Sequence, residues 1–329
     1  MISITKLEES VKAARLLQLS SGSKLLTTPT YFPAISGTQH NFRLPDLTSM
    51  VTRVYPRILV SAYDFPEDPD PKALARLKKL KEYHKGNSWI MLDSGIFEST
   101  RLEDKKWSFS KYQRIVQNLE SDVYFAFDSY PQGKIKNVNY AKATMEGIRL
   151  SRRIATSSQC ISVIHGFNPS QLLYVAKSLT KSAHKDMRFV GVPERDCGST
   201  LIQRAKTILK LREILRSNGE VFLHILGCGH PVSMALYVYC GADSFDSLDW
   251  TEQFVERGTF SYRELSHIDL VNCSCDVCQR SIRPKLGKAL LHNLLFYGDF
   301  SEQLQDMVRR DTLRDFLLEF VGRKILDGI

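Results

Sequence analysis

A chain of 329 residues that is 43% hydrophobic and 25% charged has the composition of a globular protein with a large core, which excludes a disordered or fibrous chain. No apolar run approaches the roughly 18 residues that a membrane-spanning helix needs. The balance of 45 Lys and Arg against 36 Asp and Glu leaves a net charge of +9, which favours an anionic partner such as nucleic acid.

The first ten residues carry no signal-peptide core. Seven cysteines, three of them clustered, suit a reducing compartment and a metal better than a disulfide framework, so a cytoplasmic protein is expected. From residue 29 onward, short apolar runs alternate with helical patterns. The runs cover 29–34, 57–62, 89–93, 123–128, 160–165, 188–192, 221–226 and 243–246. Between them, Tyr112, Ile115, Val116 and Leu119 recur at helical spacing, as do Leu201, Ala205, Ile208, Leu211 and Leu215. Strands alternating with helices imply parallel βαβ units, and eight such units predict an α/β fold closed into a (β/α)8 TIM barrel. An open doubly wound sheet is disfavoured, because no Gly-rich dinucleotide turn follows the first run.

Four of the runs end on a polar group: Asp93, Asp128, His165 and Asp246. Polar groups at the C-terminal ends of successive barrel strands are where an active site of this fold is built. Past Asp246 the alternation stops, and 248–267 reads as a connecting segment. A cysteine cluster follows, then two helical patterns, the last with Leu313, Phe316, Leu317, Phe320 and Val321 on one face. The expected organisation is a single domain over 1–329, with a zinc-binding lobe at about 266–300 and a C-terminal helix at about 301–326.

Cys273, Cys275 and Cys278 place three thiolates within six residues. A tight turn can aim all three at one ion, and zinc takes such ligands in tetrahedral array. His292 is the first choice for the fourth ligand and His267 its rival. Four protein ligands close the site, so zinc there is structural. Asp93, Asp128 and Asp246, converging on one barrel mouth, would crowd like charges and raise at least one carboxyl pKa. Paired carboxylates can displace a group at an anomeric carbon, a chemistry shared by sugars and nucleosides.

Seven pieces of the sequence, in order, resemble the tRNA-guanine transglycosylase superfamily. They are Leu92-Asp-Ser-Gly-Ile-Phe97, Ala126-Phe-Asp128, Val163-Ile-His-Gly166, Leu226-Gly-Cys-Gly-His-Pro231, Gly241-Ala-Asp-Ser-Phe-Asp246, the Cys273–Cys278 cluster and Leu291-His-Asn-Leu294. The resemblance implies base exchange with retention. Asp246 matches the nucleophile that attacks C1′ of a guanosine, and Asp93 the general acid/base. Asp128 matches the carboxylate that holds the base's Watson–Crick edge. Phe97 and Leu226 fall where the family sandwiches the base, and Gly191 where backbone groups touch it. His165 stands where many members have Gln, Ile96 replaces a usual Gly, and the Cys278–His292 spacing is shorter than usual.

The Gly-x-Gly-His-Pro and Phe-Asp-Ser forms look closer to the archaeosine-type enzymes and to the DNA-modifying 7-deazaguanine transglycosylases (DpdA) than to the bacterial queuine enzymes. Lacking the C-terminal RNA-binding domains of the archaeal tRNA enzymes, the chain is expected to act on double-stranded DNA with a donor such as preQ0. The alternatives are the same exchange on tRNA, or a catalytically silent nucleic-acid-binding barrel. Arg280, Arg283, Lys285 and Lys288 near the lobe are the expected phosphate contacts, with Lys134 and Lys136 a second pair at the mouth. This reading leaves room for a homodimer and for helper proteins that melt the duplex, and none for a membrane.

Overall fold

The computed structural model describes residues 2–10, 12–37, 44–65, 71–128, 139–181, 187–270 and 272–329. Eight parallel strands close a barrel: β4 (Thr30–Ile35), β5 (Arg57–Ser61), β6 (Trp89–Asp93), β7 (Val123–Phe125), β8 (Gln159–Val163), β9 (Phe189–Pro193), β10 (Phe222–Leu226) and β11 (Ser244–Ser247). All eight expected runs are present in the expected order, with ends that differ by at most three residues. Ahead of them stands an antiparallel sheet of β1 (Ser3–Glu9), β2 (Arg15–Ser21) and β3 (Lys24–Thr27).

Alternation along the strands divides the core into two layers. Ile58 and Val60 of β5, Ile90 and Leu92 of β6, and Leu223 and Ile225 of β10 face the surrounding helices. Leu59, Trp89, Met91, Val123, Phe125, Ile161, Phe189 and Phe222 fill the barrel interior, where Ile2, Leu19 and Leu26 of the N-terminal sheet join them. The two-residue period then decides the site. Asp93 follows Met91 on the inner face, His165 follows Val163 just past β8, and Asp246 follows Ser244. Four helices begin where the sequence supplies a cap: Ser108, Asn139, Asn168 and Thr200 each accept from the backbone N–H three residues on.

Three expectations need correction. The run expected over 123–128 pairs only over Val123–Phe125. The Phe127 N–H turns off the ladder to Ser151 Oγ at 2.7 Å, and Gly147 leaves room for the Phe127 carbonyl, which would lie 2.5 Å from a Cβ at that position. Asp128 therefore sits on a loop beyond the strand. The connecting segment 248–267 contains a short helix, Asp249–Glu252, and an antiparallel hairpin of β12 (Gln253–Glu256) and β13 (Ser261–Glu264). In place of one helix over about 301–326 there is a 25-residue helix, Lys285–Arg309, followed by Leu313–Phe320 and Arg323–Asp327. Phe316 and Phe320 pack around Phe260 at the hairpin turn, as does Phe300. No helix among the described residues is long and apolar enough to cross a membrane.

Candidate active site

The C-terminal mouth of the barrel holds a cavity of about 370 Å³. Asp93, Asp128, His165, Phe97, Leu226 and Asp246 all line it, so the structure brings together the expected catalytic and base-contacting residues except Gly191. Gly191 lies one layer down in β9, where a Cβ would come within 3.1–3.3 Å of Leu226, Ile161 and Phe125. Its carbonyl accepts from the Ile164 N–H at 2.9 Å. Glu98, Asp249 and Glu252 also line the cavity and were not singled out from the sequence.

The carboxylates are set unequally. Asp246 is buried at 8% exposure and accepts from His224 Nε2 at 2.9 Å and from the Gly227 N–H at 3.3 Å. Both bonds fall on Oδ1; among the described residues no hydrogen bond is made to Oδ2. His224 is fixed from its other side by Ser244 Oγ at 2.7 Å. Asp93 has no cation beside it among the described residues. Its Oδ2 accepts from the Gly95 N–H at 3.0 Å, an Asx turn that Gly95 completes with φ 73°. Burial pushes Asp93 well above the usual carboxylate range, and the carboxyls of Glu98, Asp128 and Asp246 push the same way. Burial likewise raises Glu98, against hydrogen bonds from Ser36 and Ser61.

Asp128 is the counter-case. Burial would raise it, but hydrogen bonds from His165 Nε2 at 2.7 Å and Ser94 Oγ at 2.7 Å hold it below the usual range. His165 Nδ1 lies 3.0 Å from Asp196 Oδ2. Burial opposes charge on His165, but the two carboxylates outweigh it and push its pKa up to about 9. Phe97 is 47% exposed, with the Arg195 guanidinium 5.3 Å above its ring.

The cysteine cluster is assembled at the base of the long helix. The Sγ atoms of Cys273, Cys275 and Cys278 and one nitrogen of His292 all lie within 4.8 Å of one another. His292 Nδ1 is 3.7, 3.3 and 3.3 Å from the three sulfurs in turn. A tetrahedral ion bonded at about 2.3 Å to sulfur and about 2.0 Å to nitrogen sets S and N roughly 3.5 Å apart, so the four groups fit a zinc-sized ion. His292 Nε2 donates to the Val255 carbonyl at 2.9 Å, which leaves Nδ1 as the lone-pair nitrogen. Burial lowers its pKa to about 4, keeping the ring in the neutral form that binds metal. His267 lies outside the group, 45% exposed and 3.8 Å from Glu264.

The same helix ties this lobe to the mouth. Asn293 Nδ2 donates to the Trp250 and Gln253 carbonyls at 2.7 Å each. One turn on, the Tyr297 hydroxyl donates to the Gly229 carbonyl at 2.8 Å, and its ring stacks on Tyr31 at 3.9 Å. Tyr31 in turn donates to the Ser247 carbonyl at 3.0 Å, next to Asp246.

The family model described as queuine tRNA-ribosyltransferase (TGT) matches residues 10–324. The chain belongs to this transglycosylase family. Among its relatives are tRNA-guanine(15) transglycosylases of three archaea. That of Korarchaeum cryptofilum is 23% identical over 335 residues, covering 95% of this chain and 56% of the relative. That of Methanosarcina mazei is 23% identical over 358 residues, covering 100% and 70%, and that of Sulfolobus acidocaldarius 23% over 343 residues, covering 96% and 66%. The chain thus spans 56–70% of the length of these relatives. Their names specify tRNA, and the expectation of a DNA substrate finds no support among them.

Within the family's pattern, the basic lobe is less free than expected. Lys285 and Lys288 both pair with Asp269, at 2.8 and 3.3 Å, while Arg280 and Arg283 are exposed. Lys134 and Lys136 lie outside the described residues. Sequence reasoning missed His224, Glu98 and Asp196. His224 is concealed inside the apolar run of β10, and the period that places Asp246 inward would have pointed to it. Asp196 sits in the short turn Glu194–Cys197, which has no periodicity to reveal its direction.

Proposed function

We propose that this chain exchanges guanine in a tRNA for a 7-deazaguanine base of the preQ0 kind, through a covalent ribosyl ester on Asp246. The observation that carries this reading is the unequal setting of two carboxyls in one cavity. Asp246 is braced through Oδ1 with Oδ2 left over, whereas burial and like charges favour a proton on Asp93. In the first half-reaction Asp246 Oδ2 attacks C1′ as the C1′–N9 bond breaks. The electron pair of that bond leaves with the purine, and Asp93 gives the purine a proton. In the second, the incoming base gives a proton to Asp93 and its ring nitrogen attacks C1′, which returns Asp246 to a carboxylate. Two displacements at one carbon retain its configuration.

Asp128 would accept from the N1–H and exocyclic amine of guanine, with Phe97 and Leu226 against the ring faces. Gly191 would then act from beneath, by leaving room for Leu226. A base paired or stacked in its polynucleotide must be flipped out to reach this cavity. Cys273, Cys275, Cys278 and His292 would hold zinc, whose closed ligand set gives it a structural role. Arg280 and Arg283, both exposed, would make phosphate contacts. The names of the relatives favour tRNA over DNA.

Incorporation of labelled guanine, then of labelled preQ0, into tRNA and double-stranded DNA side by side tests the reading. Label in tRNA supports it. Label in DNA alone overturns the substrate and keeps the chemistry, and label in neither overturns the activity.

A further inference from the structure

Resting on that reading, we propose that Asp196 is a positioning residue that holds the His165 ring as a fixed cation beside the departing purine. Both nitrogens of His165 face carboxylates, Asp128 at 2.7 Å and Asp196 at 3.0 Å. An ionised carboxylate only accepts, so with both ionised each ring nitrogen carries a proton and the ring is an imidazolium. Asp196 is 1% exposed. Among the described residues its Oδ1 has no hydrogen-bond partner, and Arg195 Nε lies 3.8 Å from that oxygen. A buried carboxylate satisfied through one oxygen needs a cationic partner to stay ionised, and His165 is the group in hydrogen-bond contact with it.

The charge has a use. As C1′–N9 breaks, negative charge spreads over the purine, including the carbonyl oxygen beside the edge that Asp128 recognises. A fixed cation there stabilises the leaving group more than the bound nucleoside, which is the condition for lowering the barrier. His165 transfers no proton in this step; the proton comes from Asp93 and the electron pair leaves with the purine. A neutral amide at this position would place no charge beside the purine.

Among the described residues, the titratable and charged groups around the ring come from several elements. Asp128 and, through it, Ser94 lie on one side; Asp196 and Arg195 follow β9; Tyr140 on the helix Tyr140–Ser151 shares the adjoining small cavity; and Asp93 lines the same mouth. Of these, Asp196 is the carboxylate that touches the ring and does not line the cavity. The charge of His165 is present below about 9 and lost as pH rises through that value.

The test is the pH profile of kcat for guanine exchange in the wild type, Asp196→Asn and His165→Gln, with circular dichroism and zinc content as fold controls. The wild type should show an alkaline limb near 9. Asp196→Asn should move that limb down by about a unit or more and lower kcat about tenfold at pH 8, with KM for the polynucleotide little changed. His165→Gln should turn over more slowly and lack the limb. An unmoved limb and kcat in Asp196→Asn, or a limb that survives in His165→Gln, would overturn the proposal. Histidine 15N NMR titration reads the same ring without turnover. If the wild type exchanges no base, the proposed function fails, while a His165 pKa near 9 that falls in Asp196→Asn still upholds the clamp and an unshifted one rejects it. If Asp196→Asn does not fold, the His165→Gln profile decides.

Discussion

Two buried aspartates near the ends of strand β11 have opposite surroundings. Asp243, just before it, is fully buried and accepts from Arg15 at 3.0 and 2.9 Å, from Arg212 at 2.7 Å and from the Leu223 N–H at 2.7 Å. Arg212 also closes onto the Gly241 carbonyl at 2.8 Å. Three residues on, Asp246 has a histidine and one backbone N–H, and shares its cavity with Asp93, Glu98 and Asp128. Around Asp243, at the N-terminal end of the barrel, the buried charge is answered by two guanidinium groups, and the result is stability. At the C-terminal end charge is concentrated without full compensation, which costs stability and leaves groups free for chemistry.

Substitutions at the two ends should separate activity from folding. The largest effect is expected from Asp246→Ala, which should lower base exchange on the order of 10⁴-fold or more while leaving the thermal transition in place. A loss of activity matched by a loss of folded protein would break the contrast. Asp243→Asn should do the reverse. It leaves two buried guanidinium groups with less than their counter-charge, and destabilisation of about 3–5 kcal/mol is expected in denaturant unfolding. Activity per folded molecule should persist. Cys275→Ser removes one of four metal ligands; metal content by mass spectrometry should fall below one equivalent and the melting temperature with it. Unchanged metal content would remove Cys275 from the ligand set.

The smallest effect sharpens the comparison most. Because the folded state raises the Asp93 pKa, it binds more protons than the unfolded chain between the ordinary carboxylate value of about 4 and that raised value, so stability falls as pH rises through this window. Asp93→Asn should therefore melt higher than the wild type at neutral pH. The gain should vanish near pH 3, where Asp93 is protonated in both states. A variant that melts lower than the wild type at neutral pH would show that Asp93 is compensated after all.

Much of this was legible in the sequence, for reasons that differ by region. The barrel strands announced themselves because each is an apolar run bounded by turns, and Asp93 and Asp246 because each breaks such a run at its C-terminal end. The cysteine cluster was legible from spacing alone, whereas the choice of His292 over His267 needed the long helix to carry it back to the turn. The N-terminal sheet was not legible: Ser3–Glu9 is almost wholly exposed, so it lacks the half-apolar alternation that marks a strand. The hairpin of β12 and β13 has four-residue strands rich in polar groups, too short for a period to register. The partners of the site residues were the least legible. His224 looks like a core residue and Asp196 like a turn residue until the fold sets one beside Asp246 and the other beside His165.

The central claim is that Asp246 becomes covalently bound to ribose during exchange. The most direct test is to incubate the protein with tRNA in the absence of an incoming base, denature it, digest the RNA and map the adduct by mass spectrometry. The account predicts a base-free ribosyl phosphate ester on the peptide that contains Asp246, absent from Asp246→Ala and discharged by added 7-deazaguanine. An adduct on another residue, or exchange proceeding with no adduct at all, would contradict it.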